Sequence, residues 1–146
     1  MEAYPIVIEK KFDSTIGAVW KALTDSSEMK KWYFEIPDFK AEVGFTFKFQ
    51  GQVENRKYTH LCEVTRAEEN KAIAYTWKYK GIQGEGLVSF DIEMDEDLVK
   101  VVLTHTGVGS FPKNNPDLSW DGFYEGWSYI MGTLLANYLK KKPTKK

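Results

Sequence analysis

The sequence predicts an α+β domain: a curved antiparallel sheet of about six to seven strands wrapped around a long C-terminal helix, with two short helices after the first strand. Three observations carry that prediction. Hydrophobic residues recur at helical spacing over residues 16–32, alternate from about residue 40, and return to helical spacing near the C-terminus. Short turn-forming segments separate the alternating runs, which gives an antiparallel meander with one wet and one covered face. The last helix is the only element long enough to cover the aromatic face of that sheet.

IVIEKKF (6–12) alternates and starts β-branched, so it reads as the first strand. In DSTIGAVWKALTD, Asp13 or Ser14 is expected as N-cap, and Ile16, Val19, Trp20 and Leu23 follow at helical spacing. SSEMKKW (26–32) reads as a second short helix with Asp25 and Glu28 at capping-box spacing, and Pro37 ends any continuation.

FTFKFQG (45–51) sets Phe45, Phe47 and Phe49 against Thr46, Lys48 and Gln50. YTHLCEV (58–64) puts Tyr58, His60, Cys62 and Val64 on one face, and IAYTWKY (73–79) does so with Ile73, Tyr75, Trp77 and Tyr79. GLVSFDIEM (86–94) aligns Val88, Phe90, Ile92 and Met94; LVKVVLTHT (98–106) aligns Val99, Val101, Leu103 and His105. Turn signals are Gly51 with Asn55, Glu68-Glu69-Asn70, Gly81 to Gly84, and Asp95-Glu96-Asp97. GIQGEG (81–86) looks like a phosphate loop, yet it joins two strands and opens no helix, so it is assigned to a hairpin turn.

GVGSFPKNNPD (107–117) is a loop by composition. The final helix is expected from about Leu118 to Lys141, roughly 35 Å at about 1.5 Å per residue. At about 100° per residue, Trp120, Phe123, Tyr124, Trp127 and Ile130 share a stripe with Met131, Leu134, Leu135 and Tyr138. That stripe should grip the sheet. Gly122, Gly126 and Tyr129 fall on the far side and Gly132 on a flank, so these glycines are expected to serve a neighbouring loop or second subunit, not a cavity.

The 146 residues form one expected domain, 1–146, with no internal repeat or linker. With 28% charged and 42% apolar residues the composition is that of an ordinary globular protein, and a net charge of -1 carries no nucleic-acid footprint. The only basic cluster, Lys140, Lys141, Lys142, Lys145 and Lys146, suits the C-terminal end of a helix dipole. Cys62 is the sole cysteine and is expected to be an inert buried thiol. MEAYPIVIEKKFD lacks the features of a signal peptide and no run approaches a membrane span, so a cytoplasmic protein without integral membrane association is expected.

ALTDSSEMKKWY after the first strand, LTHTGVG in the last strand and a Trp-containing helix ending in LLANYLKK together resemble the family of homologues of the heat-shock-protein-90 ATPase activator. That family belongs to the START-like (SRPBCC, birch-pollen-allergen-like) superfamily, and the resemblance runs from about Ile6 to Leu139. It implies the helix-grip fold. It also implies one of three roles: binding a lipid- or polyketide-like molecule, cyclase or aromatase chemistry, or work on a chaperone partner. The family often carries Trp-Trp followed by Gly-Pro where this chain has Trp32-Tyr33-Phe34, a difference at the entrance of the implied pocket. Only Gly44 stands before Phe45, where a Gly-Gly pair is common.

Residues expected to face such a pocket are Trp32 at its entrance, then Phe47, Phe49, Tyr58, His60, Tyr75 and Trp77 from the early strands. Val88, Phe90, Leu103 and His105 follow from the later strands, and Tyr124, Trp127 and Met131 from the helix. The set is apolar with a few hydroxyl and imidazole handles, which suits a flat, weakly polar ligand. His60, Cys62 and His105 fall short of a metal-site pattern, and no inward carboxylate pair is expected, so neither metal, cofactor nor catalytic residue is assigned. A hydrophobic small molecule is the expected partner, with a second copy or a chaperone as protein partners.

Overall fold

The computed structural model describes residues 4–140. The predicted end of the last helix at Lys141, and Lys141, Lys142, Lys145 and Lys146 of the basic cluster, lie outside the described residues. Strand β1 (Ile6–Phe12) leads into α1 (Ile16–Thr24) and α2 (Ser26–Trp32). The meander follows as β2 (Thr46–Val53), β3 (Arg56–Glu68), β4 (Ala72–Tyr79), β5 (Ile82–Asp95) and β6 (Leu98–Thr106). Two single turns, Val108–Ser110 and Pro116–Leu118, lead to the C-terminal helix.

The six strands form one antiparallel sheet in the order β1-β6-β5-β4-β3-β2, so the first strand closes against the last. Bulges between Val64 and Arg66 and between Trp77 and Tyr79 bend the middle strands. The covered face matches the alternation: His60, Cys62, Val64, Tyr75, Trp77, Val88, Phe90, Val101, Leu103 and His105 are all buried.

Several local expectations are corrected. Thr15, not Asp13 or Ser14, caps α1: its hydroxyl accepts from Ala18 N at 3.1 Å. Asp25 caps α2 by accepting from Ser27 N, but the capping box is not completed. The Asp25 N–H bonds Lys21 O, and Glu28 is buried, accepting from the Tyr138 hydroxyl at 2.9 Å. Gly51 lies within β2, and the turn is Glu54-Asn55, with Glu54 at φ 56°. The β4–β5 turn is only Lys80-Gly81, so β5 starts at Ile82, four residues before the expected strand. Met94 is half exposed because β4 pairs with β5 only as far as Asp91, leaving Met94 flanked on one side.

The C-terminal helix is α3 (Trp120–Tyr129), a π-helical segment (Ile130–Leu135) and α4 (Ala136–Lys140), with helical backbone angles at both junctions. Ser119 caps its start by accepting from Gly122 N. Its fully buried residues are Phe123, Trp127, Met131, Leu135 and Leu139, a strict spacing of four. In a straight α-helix each such step drifts by about 40°. The wider π turn rotates less per residue and holds Leu139 against the core. The expected stripe is therefore shifted. Trp120 and Tyr124 are partly exposed and stack on each other at 5.1 Å, and Leu139 joins the buried face.

Candidate functional site

The middle of the grip is filled by the chain itself. Trp32 anchors α2 by donating its indole N–H to Ala22 O, which turns the next two residues inward. The Tyr33 hydroxyl meets that of Tyr75 at 2.8 Å, and its ring stacks on Trp127 at 6.4 Å and meets Phe90 edge-on. Phe47 packs edge-on to Phe39 and Tyr75. With these rings in place, Val88, Phe90, Leu103 and Met131 are sealed core residues.

Space remains at one end, where the β2–β3 hairpin curls toward α3. A cavity of about 240 Å³ lies there, lined by Tyr58, His60, Trp77 and Trp127 of the expected set. Trp32, Phe47, Phe49, Tyr75, Val88, Phe90, Leu103, His105 and Met131 do not line it, and Tyr124 faces outward. The structure adds Phe34, Tyr79, Asp117, Phe123 and Ile130 to its walls, together with Gly122, Gly126 and Tyr129.

The glycines correct the helical-wheel reading. The hairpin wraps far enough around α3 that its outward-seeming flank becomes a cavity wall. Gly122 does serve a neighbouring loop: a Cβ there would stand 2.5 Å from Pro116 O. Gly126 is different. It has no positive φ, and a Cβ there would meet nothing within 4 Å. Neither backbone conformation nor packing requires glycine, yet glycine costs about 1 kcal/mol against alanine in a helix interior.

The polar groups are few and mostly engaged. Asp117 accepts from Arg56 through two bonds, Nε to Oδ2 at 2.7 Å and an Nη to Oδ1 at 3.0 Å, and from the Tyr58 hydroxyl at 2.6 Å. The Arg56 guanidinium holds the Asp117 carboxyl below the usual carboxylate range. Trp77 donates its indole N–H to the Tyr79 hydroxyl at 2.8 Å, and burial pushes that phenol up. His60 is stacked on Phe49 at 4.3 Å, and its Nδ1 is buried without a partner. Burial lowers its pKa to about 4, so it is neutral at pH 7. Gly51 lies over this ring, where a Cβ would come within 2.6 Å of His60 Cε1.

His105, expected beside His60 in the pocket, is a core residue bonded to Trp127. Burial lowers its pKa to about 3. Cys62 is buried and its thiol is pushed up by burial. Among the described residues no three His, Cys, Asp or Glu side chains are grouped to hold a metal ion, and no helix is long and apolar enough to cross a membrane.

One signal in the sequence pointed to this cavity: Tyr79 continues the inward alternation of β4, whereas the helix glycines were read as facing away from any cavity. Asp117 was hidden in a loop, because only tertiary pairing with Arg56, 61 residues away in sequence, brings it inward.

The sequence model of the family described as "Activator of Hsp90 ATPase homolog 1-like protein" matches residues 13–140. No curated protein matches the chain. Among solved structures, protein MLL2253 from Mesorhizobium loti is similar over 96% of this chain and 99% of its own, with 22% identity and a TM-score of 0.80. DynU16, from the dynemicin biosynthetic locus, is similar over 97% of this chain but 49% of its own, with 17% identity and a TM-score of 0.78. The Aha1 dimer from Colwellia psychrerythraea is similar over 95% of this chain and 98% of its own, with 20% identity and a TM-score of 0.70. At these identities the solved structures establish the shared fold.

Proposed function

We propose, since this chain belongs to the Activator of Hsp90 ATPase homolog 1-like family, that it is a binding protein for a hydrophobic, lipid- or polyketide-like small molecule held between the β2–β3 hairpin and α3. Gly126 carries the proposal: a helix-interior glycine that neither backbone nor packing requires, bordering a cavity walled by Trp77, Trp127, Phe123 and Ile130. Apolar walls with a few polar groups are the usual make-up of a small-molecule site. The likeness to a protein of a biosynthetic locus supports the same reading. The test is native mass spectrometry of freshly purified protein, together with melting in a panel of hydrophobic compounds. A ligand that binds only the folded state raises the melting temperature in proportion to ln(1 + [L]/Kd). Gly126→Leu should fill the cavity, keep the fold and abolish the shift. Finding no bound molecule and no shift with any compound would refute the proposal.

A second reading rests on the outer face of α3, where Trp120 and Tyr124 stack in the open. A similar structure was solved as a dimer, and the stacked pair suits contact with a second copy of this chain. Light scattering should give a dimeric mass that falls to monomer in Tyr124→Ser. A monomeric wild type that instead co-purifies with a chaperone would assign the face to that partner.

A further inference from the structure

The cavity's size, charge and unused hydrogen-bonding groups define its occupant more narrowly. We infer, on the reading that this cavity binds a small molecule, that the ligand is a neutral, flat carbonyl compound of about ten non-hydrogen atoms.

Size comes first. An apolar protein cavity of about 150 Å³ holds benzene, and the same ratio gives about ten non-hydrogen atoms for this one. That is the size of a two-ring molecule. The walls favour a flat one. The rings of Trp77 and Trp127 pack on each other with centroids 5.2 Å apart, and Phe34 and Phe123 border the same space. Aromatic faces and edges pack best against another ring.

Charge comes next. Among the described residues Asp117 is the only ionised side chain on the wall, and Arg56 and Tyr58 already engage both its oxygens. Among the described residues no lysine or arginine lines the cavity, and His60 is neutral at pH 7. A ligand carboxylate would lose its water with no cation to replace it.

One donor remains unspent. The Tyr79 hydroxyl accepts from Trp77, and its own proton has no acceptor among the described residues. His60 Nδ1 is sealed without a partner. The His60 ring is otherwise engaged by backbone hydrogen bonds with Phe49 and Tyr58, so it offers no free donor. His60 and Tyr79 are cross-strand neighbours with ring centroids 4.8 Å apart, and both line the cavity. A single free donor on an otherwise apolar wall matches a carbonyl oxygen, which accepts and does not donate.

The test is calorimetric titration with three probes: 1-indanone, indane (the same bicycle without oxygen) and indane-2-carboxylate. 1-Indanone should bind about tenfold more tightly than indane, the scale of one good hydrogen bond, and the carboxylate should not bind. Tyr79→Phe should bring 1-indanone down to the affinity of indane and leave indane unchanged. If that variant does not fold, the three wild-type titrations decide alone. Equal affinity for indane and 1-indanone, or tighter binding of the carboxylate, would overturn the carbonyl assignment while leaving a small-molecule site in place. No binding of any probe, together with melting shifts from longer lipids, would overturn the size assignment. Silence from every compound would sink the binding reading itself.

Discussion

Trp127 donates its indole N–H to Nδ1 of His105 across 3.0 Å, joining the C-terminal helix to β6 inside the core. The bond fixes the histidine tautomer, because an accepting Nδ1 leaves the proton on Nε2. That Nε2 is buried without a partner, beside Gly86, where a Cβ would stand 2.6 Å away. The helix is thus held to the sheet by a polar bond as well as by its apolar column.

Trp127→Phe should therefore cost more than its lost volume. It leaves a buried acceptor unpaired, a penalty of about 1–3 kcal/mol, besides trimming one wall of the cavity. Urea unfolding should place the variant about 2–4 kcal/mol below wild type. A loss under about 0.5 kcal/mol would mean that the bond adds nothing to stability.

The two buried histidines make stability depend on pH. An unfolded imidazole titrates near 6.5, whereas burial holds His60 at about 4 and His105 at about 3. Between those limits the unfolded chain binds more protons than the folded one, so stability rises with pH. The contribution is complete above about 6.5 and is lost as pH falls toward 4 and then 3. Each histidine adds a slope of up to about 1.4 kcal/mol per pH unit. Urea midpoints between pH 7.5 and 4.5 should show this fall, and His60→Gln should have about half the slope. An unchanged slope in that variant would mean that His60 titrates normally in the folded protein.

The same burial explains how far the sequence could be read. Alternation assigned the covered face of the meander strands, apart from Met94, because period and burial are one constraint: a register slip would turn Trp77 and His105 outward together. The helical wheel assumed 100° per residue throughout. It therefore missed the π segment, which draws Leu139 in, and it assigned Tyr124 to the grip. The cavity was harder still. Inward-facing residues were legible, but whether they meet a ligand or each other depends on what fills the middle, and Tyr33 fills it. Asp117 and Phe34 acquire their places only from contacts across the fold.

Arg56, Tyr58 and Asp117 clamp the 116–118 turn to the start of β3, over the cavity. Asp117→Ala should release that turn while leaving the core intact. Hydrogen exchange at residues 115–119 should speed up relative to wild type, with β4 and β5 unchanged. Asp117 carries a lowered pKa, mainly from its Arg56 bond, so the wild-type clamp contributes fully above the ordinary carboxylate pKa of 3.8 and is lost only as pH falls through the lower, folded-state value. Equal exchange rates in variant and wild type would show that the turn is held by its apolar contacts alone.

Gly122 and Gly126 stand one turn apart on the same helix, and the same substitution should move them in opposite directions. At Gly126 an added Cβ meets nothing within 4 Å, so Gly126→Ala gains the helix propensity that glycine forfeits, about 1 kcal/mol. At Gly122 the Cβ would stand 2.5 Å from Pro116 O and 3.0 Å from Asp117 O, both backbone atoms that move only if the clamped turn moves. Overpacking of that kind costs about 1–3 kcal/mol, which outweighs the propensity gain. Urea unfolding of the two alanine variants should therefore bracket wild type. If Gly126→Ala were also destabilising, the open space beside it would be filled in solution, and the glycine would owe its place to packing instead of a ligand.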